Sequence, residues 1–268
     1  MGLTYLKIID VFIRSGIMSF LAGKKIVVMG VANKRSIAWG CAQALRNQGA
    51  EVIYTYQSER MKKPLERLLT GEEFLVECDV ASDESIERAF EEIKEYAGEI
   101  HGVVHAVAYA NKEDLQGEVT EISREGYALA QDISAYSLIA VTRFAQPILA
   151  DNSGIVTLTY LGAERAVPNY NMMGIAKAAL ESAVRYLAAD LSPKKIRVNG
   201  ISAGAIKTLA VTGVKDYQKL IQLSEDRTPD HIGVTIEEVG NACAFLISPL
   251  SSGIIGEVIF VDKGVHLS

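Results

Sequence analysis

Tyr170 and Lys177 lie seven positions apart in a stretch whose apolar spacing predicts a helix over Tyr170–Leu191. Seven residues make two turns, so a phenol and an ammonium share one helical face about 10 Å apart along its axis. A positioned phenol can donate a hydrogen bond to a developing oxyanion, and an ammonium adds positive charge nearby. A solvated helix face would carry the same pair, so the decision rests on the elements around it. Just upstream runs Tyr160-Leu161-Gly162-Ala163-Glu164-Arg165-Ala166-Val167-Pro168-Asn169, in which Pro168-Asn169 reads as a helix start with Asn169 as its cap.

A second group of residues suits phosphate and ribose. Gly30-Val31-Ala32-Asn33-Lys34-Arg35-Ser36-Ile37-Ala38-Trp39-Gly40 follows an apolar run. It is not GxGxxG, yet Gly30 permits a tight turn and Ser36 can cap a helix opening at Ile37. Gly40 is expected to let that helix pack on a sheet. The free N–H groups and positive dipole end of that helix would then meet a pyrophosphate. About twenty residues on, Tyr54-Thr55-Tyr56-Gln57-Ser58 closes a second strand where a dinucleotide fold meets the adenosine ribose. Gln57 offers hydrogen bonds but no charge, which favours NADH over NADPH, although Arg60 and Lys62 nearby leave NADPH open. Asp79-Val80 ends a third strand, where an adenine could sit; Asp79 could equally be tied into a turn over Ser82–Ser85. Val107 and Ala108, at the end of a fourth, are small enough to pass beneath a nicotinamide ribose.

The elements that must position these groups alternate regularly. Strands are expected at Lys25–Gly30, Glu51–Tyr56, Phe74–Cys78, Gly102–Val107, Gly154–Thr159, Ile196–Ile201 and Glu257–Asp262. Helices are expected at Ser36–Gln48, Glu59–Leu69, Glu84–Tyr96, Arg124–Leu149, Tyr170–Leu191 and Ile236–Ile247. Near-continuous apolar strands such as Ile26-Val27-Val28-Met29 read as covered on both faces. The alternation predicts a doubly wound α/β Rossmann fold: one parallel sheet of about seven strands with helices on both faces. No linker or repeat divides residues 18–268, which read as one domain.

Composition narrows the function classes. Net charge is −6 over 268 residues, which argues against a general nucleic-acid-binding role. Cys41, Cys78 and Cys243 are odd in number and unpaired in spacing, and the four histidines show no ligand spacing, so neither a disulfide framework nor a metal site is expected. In Met1–Ile17, Lys7, Asp10 and Arg14 interrupt every apolar run, so the segment reads as a non-catalytic extension rather than a membrane span or signal peptide. Leu6 stands where a myristoylation signal wants Ser or Thr. A cytoplasmic protein is expected.

The loop Gly30–Gly40, the run Asp132-Ile133-Ser134-Ala135-Tyr136-Ser137, the stretch Tyr160–Lys177 and Ile201-Ser202-Ala203-Gly204 resemble short-chain dehydrogenase/reductases, and within them the bacterial enoyl-acyl-carrier-protein reductases. The likeness extends across Ser19–Gly264. Most of the superfamily carries Ser-x12-Tyr-x3-Lys, which counted back from Lys177 falls on Tyr160 and Met173; the enoyl-reductase variant Tyr-x6-Lys fits Tyr170 instead. The resemblance implies reduction of an enoyl thioester on acyl carrier protein, with Tyr170 stabilising the enolate, Lys177 holding the nicotinamide ribose and Tyr160 lining the site. It places Ile206, Thr208 and Ala210 against the cofactor, and Tyr109 and Ala110 beside the acyl chain. A substrate lid is expected near residues 206–225, including a short helix within Ala210–Leu223, with Lys215 and Lys219 facing an acidic carrier protein or merely solvent. A homotetramer built on the long helices is also implied. Departures are Ala205 for a usual Pro, Lys207 for Arg, Gln218 for a basic residue and Lys263 for Gly. A generic carbonyl reductase and a non-catalytic NAD-binding protein are the alternatives.

Overall fold

The computed structural model describes residues 19–208 and 216–267. The extension Met1–Ile17, Ala210 and Lys215 therefore lie outside the described residues. Seven strands form one sheet: β1 (Lys25–Met29), β2 (Glu51–Tyr56), β3 (Leu75–Glu77), β4 (Ile100–His105), β5 (Leu149–Thr159), β6 (Arg197–Ala203) and β7 (Val258–Val261). They run parallel in the order β3-β2-β1-β4-β5-β6-β7. The order reverses between β1 and β4, which opens a crevice at the carboxyl ends of those strands.

The helices are α1 (Ile37–Asn47), α2 (Glu59–Glu66), α3 (Asp83–Ala97), α4 (Arg124–Gln131), α5 (Ser137–Ala145), α6 (Asn171–Leu191), α7 (Tyr217–Arg227) and α8 (Ile236–Ile247). One core layer joins the sheet to α3, α5 and α6 through Val27, Ile53, Phe90, Val103, Leu138 and Leu180. The other joins its opposite face to α1 and α8 through Ile26, Val28, Leu45, Val104, Ile201 and Leu246. Burial on both faces is why these strands read as unbroken apolar runs. No helix among the described residues is long and apolar enough to cross a membrane.

Several expectations are corrected. The helix expected over Arg124–Leu149 is interrupted by a π turn at Asp132–Tyr136 and ends at Ala145; Leu149 already belongs to β5. Pro147, in a short 3-10 turn, lacks the N–H that would continue the helix. Strand β4 starts and stops two residues early, so Val107 lies in the loop beyond it. Gly40 does not serve helix-on-sheet packing: a Cβ there would come 2.2 Å from the Ile236 carbonyl oxygen, and one on Gly240 would come 2.3 Å from that of Gly40. The two glycines let α1 and α8 cross in backbone contact.

Candidate active site at the carboxyl edge of the sheet

Gly30 ends β1 at φ +89°, and a Cβ on it would fall 2.0 Å from the Ala106 carbonyl oxygen. Only glycine lets the first loop turn that close to the end of β4. Ser36 caps α1, its hydroxyl accepting from the Trp39 amide at 3.4 Å and donating to the Asn33 carbonyl at 2.7 Å. The first amides of α1, Ile37 among them, thus face the crevice end of the sheet. Gln57 Nε2 lies 3.5 Å from an Asp79 carboxylate oxygen, which brings the tips of β2 and β3 together. Asp79 is also tied into its turn: its amide donates to Ser85 Oγ at 3.0 Å and its carboxylate accepts from the Ala81 amide at 3.2 Å. Val80 is buried beside it. Lys62 sits 5.5 Å from the centroid of the Tyr56 ring and 3.9 Å from Glu59.

The helix bearing Tyr170 and Lys177 begins differently from expectation. Tyr170 itself occupies the cap position of α6, while Asn169 takes φ +59°, a left-handed conformation that asparagine tolerates. This turn aims the half-buried Tyr170 ring edge-on at Tyr160, with centroids 5.0 Å apart and planes at 73°. Gly162 lies behind both: a Cβ there would fall 2.5 Å from the Tyr170 ring and 3.3 Å from that of Tyr160. Burial, with the neighbouring Tyr160 phenol, pushes the Tyr170 hydroxyl well above the usual tyrosine range. Burial also raises Tyr160, with Arg227 opposing and Asp262 adding to the shift. Both phenols stay neutral donors at neutral pH.

Lys177 is 7% exposed, and its ammonium donates to the Leu158 carbonyl at 2.7 Å. Burial lowers its pKa to about 8, and Glu181 opposes that fall. Beneath it, fully buried His105 ends β4; its Nδ1 lies 3.0 Å from Thr157 Oγ1 and its Nε2 2.8 Å from Ser137 Oγ. Burial, with Lys177 nearby, pulls His105 down to about 3, so the ring is neutral. Ser134 Oγ accepts from the Tyr109 amide and donates to the Tyr109 carbonyl, both at 2.9 Å. The π turn thereby fixes the loop that carries Tyr109 and Ala110.

An apolar wall closes the other side. Leu115, Ala130, Met172, Met173 and Ala176 form a small buried cluster, against which Ala110, Tyr170, Tyr217 and Leu220 pack. Met173, in the position where most of the superfamily has tyrosine, is buried in this wall. Ile206 packs at the rim of the core; Thr208 is buried, its amide donating to the Ile206 carbonyl at 2.7 Å. Lys207, Gln218 and Lys219 are exposed.

The family model described as enoyl-(acyl carrier protein) reductase matches residues 30–266. The chain belongs to the enoyl-acyl-carrier-protein reductase family. It is 68% identical over 249 residues to the enoyl-[acyl-carrier-protein] reductase [NADH] of Enterococcus faecalis, covering 93% of this chain and all of that protein. It is 50% identical over 250 residues to the Staphylococcus aureus enzyme named for NADPH, covering 92% and 98%. Among solved structures, the Bacillus cereus enoyl-acyl carrier protein reductase with NADP+ and indole naphthyridinone superposes with a TM-score of 0.90 at 50% identity, covering 93% and 98%.

Sequence reasoning gave no role to His105, Ser134, Ser137, Gly162 or Glu181, although Ser134, Ser137 and Gly162 stand in the stretches that carry the resemblance. His105 and Glu181 also carried a signal: His105 closes an apolar run, and Glu181 stands one turn from Lys177 on the same helix face. Lys263, at a position where similar reductases have glycine, takes φ +54°, and its ammonium lies 3.1 Å from Glu238 and 3.9 Å from Asp230.

Proposed function

We propose that this protein reduces the C2–C3 double bond of enoyl thioesters carried on acyl carrier protein, with NADH as hydride donor, in fatty acid elongation. The observation that carries the reading is the placement of phenols: Tyr170 stands at the mouth of α6 beside Tyr160, while Met173 is buried in the apolar wall. A carbonyl reductase of this superfamily needs its phenol where Met173 is, so that alternative lacks its donor. An enoyl thioester develops negative charge on the C1 oxygen, two carbons from the hydride acceptor. A phenol one turn farther from the lysine suits that more distant oxygen.

The residues fit a dinucleotide. The capped amino end of α1 beside Gly30 suits the pyrophosphate, Gln57 a ribose hydroxyl, and Asp79-Val80 the adenine. Val107 borders the nicotinamide ribose, while Ile206, Thr208 and Ala210 complete the nicotinamide side. The bound nicotinamide supplies the hydride. Lys177 holds the ribose hydroxyls and lends positive charge, Tyr170 donates to the C1 oxygen, and Tyr160 orients the thioester. Ala110, Tyr217 and Leu220 border the acyl chain. The stretch near residues 206–225 acts as the lid, and residues 18–268 as one reductase domain behind a non-catalytic extension. Uncharged Gln57 favours NADH; Lys62, engaged by Tyr56 and Glu59, leaves Arg60 as the nearby cation for a 2′-phosphate. The protein works in the cytoplasm as a homotetramer.

The test is loss of NADH near-ultraviolet absorbance with a crotonyl thioester, against a ketone control. Turnover of the thioester alone is expected, with a higher kcat/KM for NADH than for NADPH. Turnover of the ketone alone would return the carbonyl reductase, and turnover of neither a non-catalytic binder.

A further inference from the structure

Glu181 is an acid in a place that needs a reason. It is 7% exposed on the inner face of α6, where a carboxylate loses most of its hydration, and no step described above uses it. Its Oε1 accepts from Thr159 Oγ1 at 2.7 Å. One turn earlier on the same face, Lys177 donates to the carbonyl of Leu158. Two opposite charges on one helix are thus fastened to consecutive residues at the end of β5, and the next residue along is Tyr160. The ammonium and the carboxylate make no direct ion pair; each is buried and tied separately to the strand.

We propose that Glu181 is a positioning residue for the reaction: anchored by Thr159, its carboxylate is the counter-charge that keeps Lys177 protonated and seated at the end of β5. This rests on the role given to Lys177 above. A buried lysine readily sheds its proton, and an uncharged amine would hold ribose hydroxyls less well and add no positive charge. Burial drives Lys177 down to about 8, and Glu181 is the group that works against it. From β4, His105 faces Lys177, but it is neutral and supplies no charge at working pH. Burial holds the Glu181 carboxyl above the usual carboxylate range; the Thr159 hydroxyl from β5 works against that rise, Glu164 from the segment after β5 adds to it, and Arg185 and Lys177 on α6 favour the charge.

The sign follows. The useful form of Lys177 is protonated, so activity falls as pH rises through its pKa. Without Glu181 that pKa drops, and the alkaline limb of kcat/KM moves to lower pH by about one unit. The experiment compares E181Q, E181M and E181D with the unaltered protein. For each, kcat/KM with crotonyl thioester is measured across pH, as is the NADH dissociation constant by fluorescence, which needs no turnover. We expect the alkaline limb and the rise in dissociation constant both to shift down in E181Q or E181M, and both to stay near the unaltered position in E181D. Coincident profiles in the neutral variants would overturn the assignment. Failure of both neutral variants to fold while E181D folds would make the carboxylate a structural group and overturn it as well. If the unaltered protein does not turn over the thioester, the functional reading itself fails, whereas an unshifted E181Q sinks only the role of Glu181.

Discussion

At the scale of single residues, the site divides its labour by burial. Tyr170 keeps a partly exposed edge, and burial raises its pKa well above neutrality, so it is suited to donate a hydrogen bond without giving up its proton. Lys177 is almost closed off, and His105 beneath it is closed off entirely and kept neutral. A neutral imidazole has one N–H and one lone pair, so it can bridge Thr157 on β5 and Ser137 on α5 without adding charge beneath the lysine. The neighbouring cation thus meets no repulsion at working pH. If Tyr170 is the oxyanion donor, Tyr170→Phe keeps the ring that packs against Tyr160 and Gly162 and removes only the hydroxyl. We expect kcat/KM to fall roughly thirty-fold or more, about 2 kcal/mol of transition-state stabilisation. The NADH dissociation constant and melting temperature should stay near those of the unaltered protein. Steady-state kinetics with a crotonyl thioester checks it, and an unimpaired variant would remove the phenol from the mechanism.

At the scale of elements, close backbone approaches do the positioning. A Cβ on Gly162 would strike the Tyr170 ring, and one on Gly174 in α6 would fall 2.8 Å from the Gly162 carbonyl oxygen. The segment after β5 and the first turn of α6 are thus pressed together by two small residues, and the phenol angle is set there. Gly162→Ala should force the ring aside at a stability cost of about 1–3 kcal/mol, the usual penalty of overpacking. kcat/KM should drop roughly tenfold or more while NADH still binds, because α1 and the tips of β2 and β3 are untouched; a melt and a kinetic assay on the same preparation separate the two effects. This is also where sequence legibility ends. The central strands were readable because both faces of each are buried, and the start of α1 because Ser36 caps it. The π turn at Asp132–Tyr136 was not, since one extra residue per turn leaves helical periodicity nearly intact; its cause is tertiary, in the hydroxyls of Ser134 and Ser137 reaching Tyr109 and His105. Gly40 was recognised as a packing glycine but assigned the wrong partner, because nothing local in the sequence announces that α8 returns beside α1. Glu181 and His105 went unread for the same reason: their partners lie on other elements, more than twenty residues away.

At the scale of the whole molecule, α4, α5, α6 and the π turn between α4 and α5 present several large apolar side chains to solvent. Tyr127 on α4, Tyr136 in the π turn, Ile139 on α5, and Ile175 and Tyr186 on α6 are all exposed, Tyr186 to 74%. α6 runs 21 residues, about 30 Å, long enough to give two copies a shared face. The inner face of the same helix holds Lys177 and Glu181, so assembly would brace the helix from outside while the lysine is fastened to β5 from inside. Assembly and chemistry are nonetheless separable, because the catalytic groups proposed here all come from one chain. If the proposed homotetramer forms, sedimentation should give a particle of four times 29.1 kDa for the unaltered protein. Tyr186→Asp, which sets a carboxylate on that face where its copy would meet it, should lower the mass. NADH affinity in that variant should survive, with turnover reduced only as far as an unbraced α6 lets Tyr170 wander. A variant that remains a full-sized particle would show that this face of α6 is free, and a monomeric unaltered protein would mean the exposed aromatics serve some purpose other than self-association.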